Sequence, residues 1–178
     1  MKRFIPYVLV GAMSASAAGG GAYWLQSPSE TWEVRFSPKG GCTDHIVAEL
    51  DKAKSSVRVW AYSFTSEPIA DALLRAHRRG VDVQIVIDGP SIKGRGAKAQ
   101  ELADEGVPVF ADSKHAIQHQ KVMAIDGVTL LVGSFNWSAG AESKNSEVLA
   151  TVRNVRREMM EKFLANWEQH KEHSEGLK

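Results

Sequence analysis

The sequence predicts an α/β fold, a mixed β-sheet sandwiched by helices. Three observations carry this. Two nearly continuous apolar runs, residues 57–64 and 81–87, flank a segment of helical period, the β-α-β spacing of parallel neighbours. Two further apolar runs meet at Asp126-Gly127, a step that favours the left-handed turn of a β-hairpin. A long helical pattern over residues 155–172 then supplies cover for a sheet face.

In chain order, residues 31–37 alternate apolar and polar, as a half-exposed strand does. Pro38 to Gly41 turn the chain, and Thr43 or Asp44 is expected to cap a helix through about Lys54, with Ile46, Val47 and Leu50 on one face. Residues 57–64 are apolar enough for a strand buried on both faces. Ser66 and Pro68 open the next helix and Gly80 stops it. After the strand at 81–87, Asp88-Gly89-Pro90 opens a loop carrying Lys93, Arg95 and Lys98 around two glycines. That loop is either a solvated turn or a contact to a phosphate backbone. A short helix at 97–105, a strand at 107–110, the hairpin, a strand at 146–152 and the C-terminal helix complete the chain. Met159, Phe163, Ala165 and Trp167 give that helix its apolar surface, whereas His170 and His173 fall in a charged tail and are expected in solvent.

With 178 residues the chain is long enough for one sizeable core and short for two. It divides into a leader at 1–22, a linker at 23–30 and a single domain at 31–178. Lys2 and Arg3, an apolar stretch and a run of small residues read as an export signal, with cleavage after Ala17 or Ala22; an uncleaved anchor is the rival reading. Either places the domain outside the cytosol, in a bacterial periplasm or secreted. The 22 basic residues include Lys2 and Arg3, so a processed chain carries 20 basic against 21 acidic residues. Affinity for a polyanion must then come from a local patch. Cys42 is the only cysteine, so no intramolecular disulfide is possible, and it reads as a small packed residue.

The chemistry concentrates at the hairpin. Alternation puts His119 and Lys121 on one side, with Met123 and Ile125 continuing the row. A lysine heading a core-like row needs an anion to meet it. Ser134 and Asn136 share a parity just past the return strand and bring a hydroxyl and an amide to the same region. An imidazole, a cation and two neutral donors converging on one point suit a phosphoryl group. Asp126 opens the turn and faces away from His119, which points to a structural role.

His119-x-Lys121, four residues, Asp126, six residues, then Gly133-Ser134-x-Asn136 resembles the HKD signature of the phospholipase D superfamily without a departure in spacing. The resemblance covers nearly the whole chain after the leader. It implies a phospholipase D-like fold and a phosphodiesterase in which His119 attacks phosphorus to form a phosphohistidine. Lys121 and Asn136 then grip the non-bridging oxygens, Ser134 positions the phosphate, and a second histidine serves the leaving group and then water. Glu147, an acidic residue where family members commonly carry one, is the candidate to orient His119. Trp137 either walls the pocket, stacking on a base, or packs in the core.

No second H-x-K-x4-D occurs, and His45, His77, His115, His170 and His173 lack its context. The missing half-site is therefore expected from a second copy, in a twofold homodimer with a shared site. No cofactor or metal is expected, since no histidine or carboxylate is spaced as a ligand beside the motif and two lysines would neutralise the substrate. A short single-motif chain resembles the compact Nuc-type endonucleases of the superfamily, which implies DNA, single- or double-stranded, and by extension RNA as substrate; once the leader is cleaved, no stable membrane association is expected. A lipid phosphodiesterase is the first alternative and a non-catalytic nucleic-acid-binding module the second.

Overall fold

The computed structural model describes residues 28–177. The expected leader, its cleavage sites and the first residues of the linker lie outside them. No helix among the described residues is long and apolar enough to cross a membrane.

Eight strands form one sheet in the order β1-β7-β6-β5-β2-β3-β4-β8. The centre is the expected β-α-β-α-β run: β2 (Ser56–Ala61), α2 (Glu67–Arg78), β3 (Asp82–Asp88), α3 (Ala99–Asp104) and β4 (Val109–Asp112). Strands β2, β3 and β4 are parallel. The hairpin β5 (Val122–Ile125) and β6 (Thr129–Gly133) continues antiparallel from β2, followed by β7 (Glu147–Arg153) and the edge strand β1 (Thr31–Ser37).

The period-two pattern sorts two cores. Val57, Val59, Ile85, Ile87, Met123, Ile125 and Leu131 face one way, where α1 (Cys42–Lys52), α2 and α3 bring Ile46, Leu50, Ile69, Leu73 and Leu102. Trp60, Val86, Val122, Ala124 and Leu130 face the other way, against Met160 and Trp167 of α5 (Arg157–Glu172). Trp60 meets Phe163 and Trp167 edge-on, at 6.4 and 6.5 Å between ring centres. Truncating either tryptophan to alanine would cost about 3–5 kcal/mol. Met160 is the buried methionine of α5, and Met159 is 38% exposed.

Several boundaries shift for local reasons. Helix α1 starts at Cys42, behind Gly41, because Glu142 accepts hydrogen bonds from the Gly41 and Thr43 amides; neither Thr43 nor Asp44 caps it. Strand β4 starts at Val109, since the Val107 amide closes the last turn of α3 on Leu102 and Pro108 has no N–H. Two elements were not anticipated. Helix α4 (Ala139–Ser143) is capped by the Ser138 hydroxyl, and β8 (Glu175–Gly176) adds a two-residue edge to β4. At the opposite edge, Trp32 and Phe36 are each 65% exposed. Val34 and Val148 lie exposed beside them, on the sheet face that α5 covers elsewhere.

Candidate active site

The hairpin turn forms as expected, with Asp126 and Gly127 both at positive φ and the Val128 amide bonded to the Ile125 carbonyl. The Asp126 carboxylate accepts from the Lys54, Ser55 and Ser56 amides and the Ser55 hydroxyl. Burial alone would raise its pKa, but these donors outweigh it and hold the carboxyl below its ordinary value. Asp126 thus pins the hairpin to the start of β2, at the end of β5 away from His119, and takes no part in the pocket.

At the other end, β6 runs into β7 at Gly133. A Cβ there would collide with the Val148 carbonyl, so only glycine allows the approach. The amides of Ser134 and Phe135 both reach that same carbonyl, and the Ser134 hydroxyl accepts from the Val148 amide at 3.1 Å. This leaves the Ser134 O–H to donate outward. Asn136 follows, its Oδ1 buried with no partner among the described residues.

His119 and Lys121 precede β5 rather than belonging to it, yet the parity holds. Lys121 continues the Met123–Ile125 row and is 5% exposed. Its ammonium donates to the His119 carbonyl at 2.6 Å and lies 5.1 Å from the Tyr62 ring centre. Burial pulls its pKa below the ordinary lysine value, and the Glu147 charge partly restores it. The exposed His119 imidazole packs against Tyr62, 4.6 Å between ring centres. Tyr62 was missed in the sequence; it stands two residues past Trp60, the partner of Val122, and so reaches the residues before β5.

His119, Lys121, Gly133, Ser134, Asn136 and Glu147 line one cleft of about 480 Å³. Glu147 accepts from Asn145, and among the described residues no carboxylate hydrogen-bonds the His119 ring. None of the other five histidines lines the cleft. His45 bonds Thr151 under α1, His77 lies on α2 near Gly106, and His115, His170 and His173 gather around Asp112. The last two are therefore not solvated as expected.

Two expected substrate contacts are corrected. Trp137 is fully buried, its indole donating to the Trp60 carbonyl, so it packs in the core and offers no stacking face. Lys98 pairs with Glu67 and Glu101, which push its pKa up to about 12. Lys93 and Arg95 are exposed after a turn of 3-10 helix, Pro90–Lys93. They lie outside the cleft but at the same end of the strands, since Asp88, which ends β3, accepts from the Gln118 amide beside His119 and from Ser91.

An anion-accepting cleft on this hairpin, at the strand ends in the middle of a mixed α/β sheet, defines a phospholipase D-like domain. Residues 46–171 match the family described as Cardiolipin synthase, PLD-like domain, and the chain belongs to the phospholipase D superfamily. Among solved structures it is similar to Nuc from Salmonella typhimurium, a phospholipase D family member. The two share 38% identity with a TM-score of 0.80, over 84% of this chain and 99% of that one. It is also similar to NucT from Helicobacter pylori, at 26% identity and TM-score 0.75, over 84% and 100%. A phospholipase D of Rickettsia felis is 36% identical over 132 residues, which are 74% of this chain and 65% of that relative's length. A mitochondrial cardiolipin hydrolase of Xenopus laevis is 32% identical over 102 residues, 57% of this chain and 49% of that one.

Proposed function

We propose that this chain is a metal-independent phosphodiesterase that cleaves DNA through a phosphohistidine, at a site completed by a second copy. The observation that carries it is the cleft, where the imidazole of His119, the ammonium of Lys121, the Ser134 hydroxyl and the Asn136 amide converge. Neutral imidazole attacks phosphorus as the bond to the leaving oxygen breaks, and a second imidazolium hands that oxygen its proton. Water, deprotonated by the second imidazole, then cleaves the N–P bond and restores His119. Lys121 and Asn136 donate to the non-bridging oxygens where charge builds.

Two observations support the second copy. Every other histidine of the chain is committed elsewhere in the fold, so the proton donor must come from outside this cleft. The exposed strip Trp32, Val34, Phe36 and Val148 ends beside Glu147, which lines the cleft, and a twin chain packed there would bring the half-sites together. The likeness to Nuc over nearly its full length, and exposed Lys93 and Arg95 at the cleft's end of the strands, favour nucleic acid. The names of the Rickettsia and Xenopus relatives favour a lipid phosphodiester as the second reading.

Plasmid nicking in excess EDTA, with His119→Ala alongside, tests this reading. Nicking by the wild type alone supports it. No nicking, with head-group release from phospholipid vesicles, moves the substrate to lipid.

A further inference from the structure

Outside the cleft, three imidazoles converge on one buried carboxylate. Asp112 ends β4 with no exposed side-chain surface. Its Oδ2 lies 2.6 Å from His170 Nδ1, 3.0 Å from His115 Nδ1 and 3.2 Å from His173 Nε2. The four candidate ligand atoms are all within 4.8 Å of one another. The three rings gather at 4.8, 5.1 and 5.4 Å between centres.

This arrangement is oversupplied with nitrogen for a hydrogen-bond network. One carboxylate oxygen offers about two lone pairs, and here three ring nitrogens compete for it. His173 Nε2 is the loser: it is buried and has no hydrogen-bond partner. A buried ring nitrogen without a partner is costly unless something else takes its lone pair.

We propose that Asp112, His115, His170 and His173 form a binding site for a borderline divalent cation of the zinc class. Three imidazoles and a carboxylate are a donor set that suits Zn²⁺. With bonds near 2.0–2.1 Å, tetrahedral ligand atoms stand roughly 3.3 Å apart; the nitrogens, now 2.6, 3.0 and 3.2 Å from the oxygen, need only open slightly from it, while pairs as far apart as 4.8 Å draw together. The spacing is D-x-x-H on the end of β4 and H-x-x-H on the last turn of α5, each pair presenting two ligands to one side. A helix C-terminus carries partial negative charge and favours a cation there. Beside the cluster an open cavity of about 550 Å³, lined also by Gln169 and Glu172, gives the ion a way in.

The site would staple the end of α5 to the segment that leads to His119, four residues beyond His115. It contributes no group to the cleft, so it is structural and independent of the proposed hydrolysis.

The test uses the full chain, stripped with EDTA and dialysed, then titrated with Zn²⁺ by calorimetry and with Co²⁺ by visible absorption. Expected are one ion per chain, tetrahedral Co²⁺ bands and a melting temperature raised by several degrees with Zn²⁺. His170→Asn with His173→Gln should abolish all three. His115→Gln changes a side chain that is 45% exposed, which the fold does not depend on, and should weaken Zn²⁺ at least about tenfold. No binding by the wild type at micromolar Zn²⁺ overturns the proposal, as does equal binding by wild type and His115→Gln.

Discussion

The Lys121 ammonium donates to the carbonyl of His119, the residue two before it, at 2.6 Å. One buried cation thus fixes the backbone that carries the imidazole and still faces the cleft. Lys121→Met should therefore do more than remove a charge. We expect kcat/KM to fall by about 10²–10³-fold or more, with the loss mainly in kcat. Lys121→Arg should recover little of it, because a planar fork cannot replace a point donor in a packed row. Steady-state kinetics on plasmid or a short oligonucleotide decide this; a variant affected only in KM would contradict a transition-state role.

Glu147 acts on the charge of Lys121. Burial lowers the lysine's pKa and Glu147 raises it, so Glu147→Gln should lower it further. In the proposed mechanism the protonated lysine is the active form, so the alkaline limb of the pH–rate profile should move towards neutral pH. If Glu147 also orients His119 during turnover, the rate on the plateau should drop as well. A profile scaled down without any movement of the alkaline limb would assign Glu147 to orientation alone.

Asp126 gives a prediction in stability rather than rate. Its folded pKa lies below the ordinary 3.8, so its contribution is fully present above that value and is lost as pH falls through it towards the folded pKa. Asp126→Asn keeps a residue that tolerates positive φ but removes the anion gathering the amides of Lys54, Ser55 and Ser56. It should cost about 1–2 kcal/mol at pH 7 and less than that at pH 3. Activity per folded molecule should be unchanged. Denaturant melts at the two pH values check the first statement, and nicking by the folded protein checks the second.

How much of this was legible in the sequence depended on distance along the chain. The parallel core, the hairpin turn and the placing of His119, Lys121, Ser134 and Asn136 follow from short-range pattern and a motif of 18 residues. The helix-cap role of Glu142 could not be read, because its partners Gly41 and Thr43 are about a hundred positions away. Trp137 follows Asn136 directly, yet past the end of β6 alternate residues, Phe135 and Trp137, turn into the core. Lys98 looked like a loop cation because Glu67, which neutralises it, belongs to another element. His170 and His173 looked solvated for the same reason: the charged tail turns back along the sheet and closes on Asp112.

A shared site has a kinetic signature. If each cleft needs a histidine from both copies, one His119→Ala chain disables the pair it joins. Mixed at equal amounts and allowed to exchange, wild type and variant form pairs of which about a quarter are wholly wild type, so activity should fall to near a quarter rather than a half. His119→Ala alone should lose roughly 10⁴-fold or more and remain a dimer. Phe36→Asp on the exposed strip should have the opposite phenotype, an intact cleft in a chain that runs as a monomer and does not turn over. Size-exclusion chromatography with light scattering reads the assembly, and nicking reads the rate. Activity proportional to the wild-type fraction, with exchange demonstrated, would return the whole reaction to a single chain.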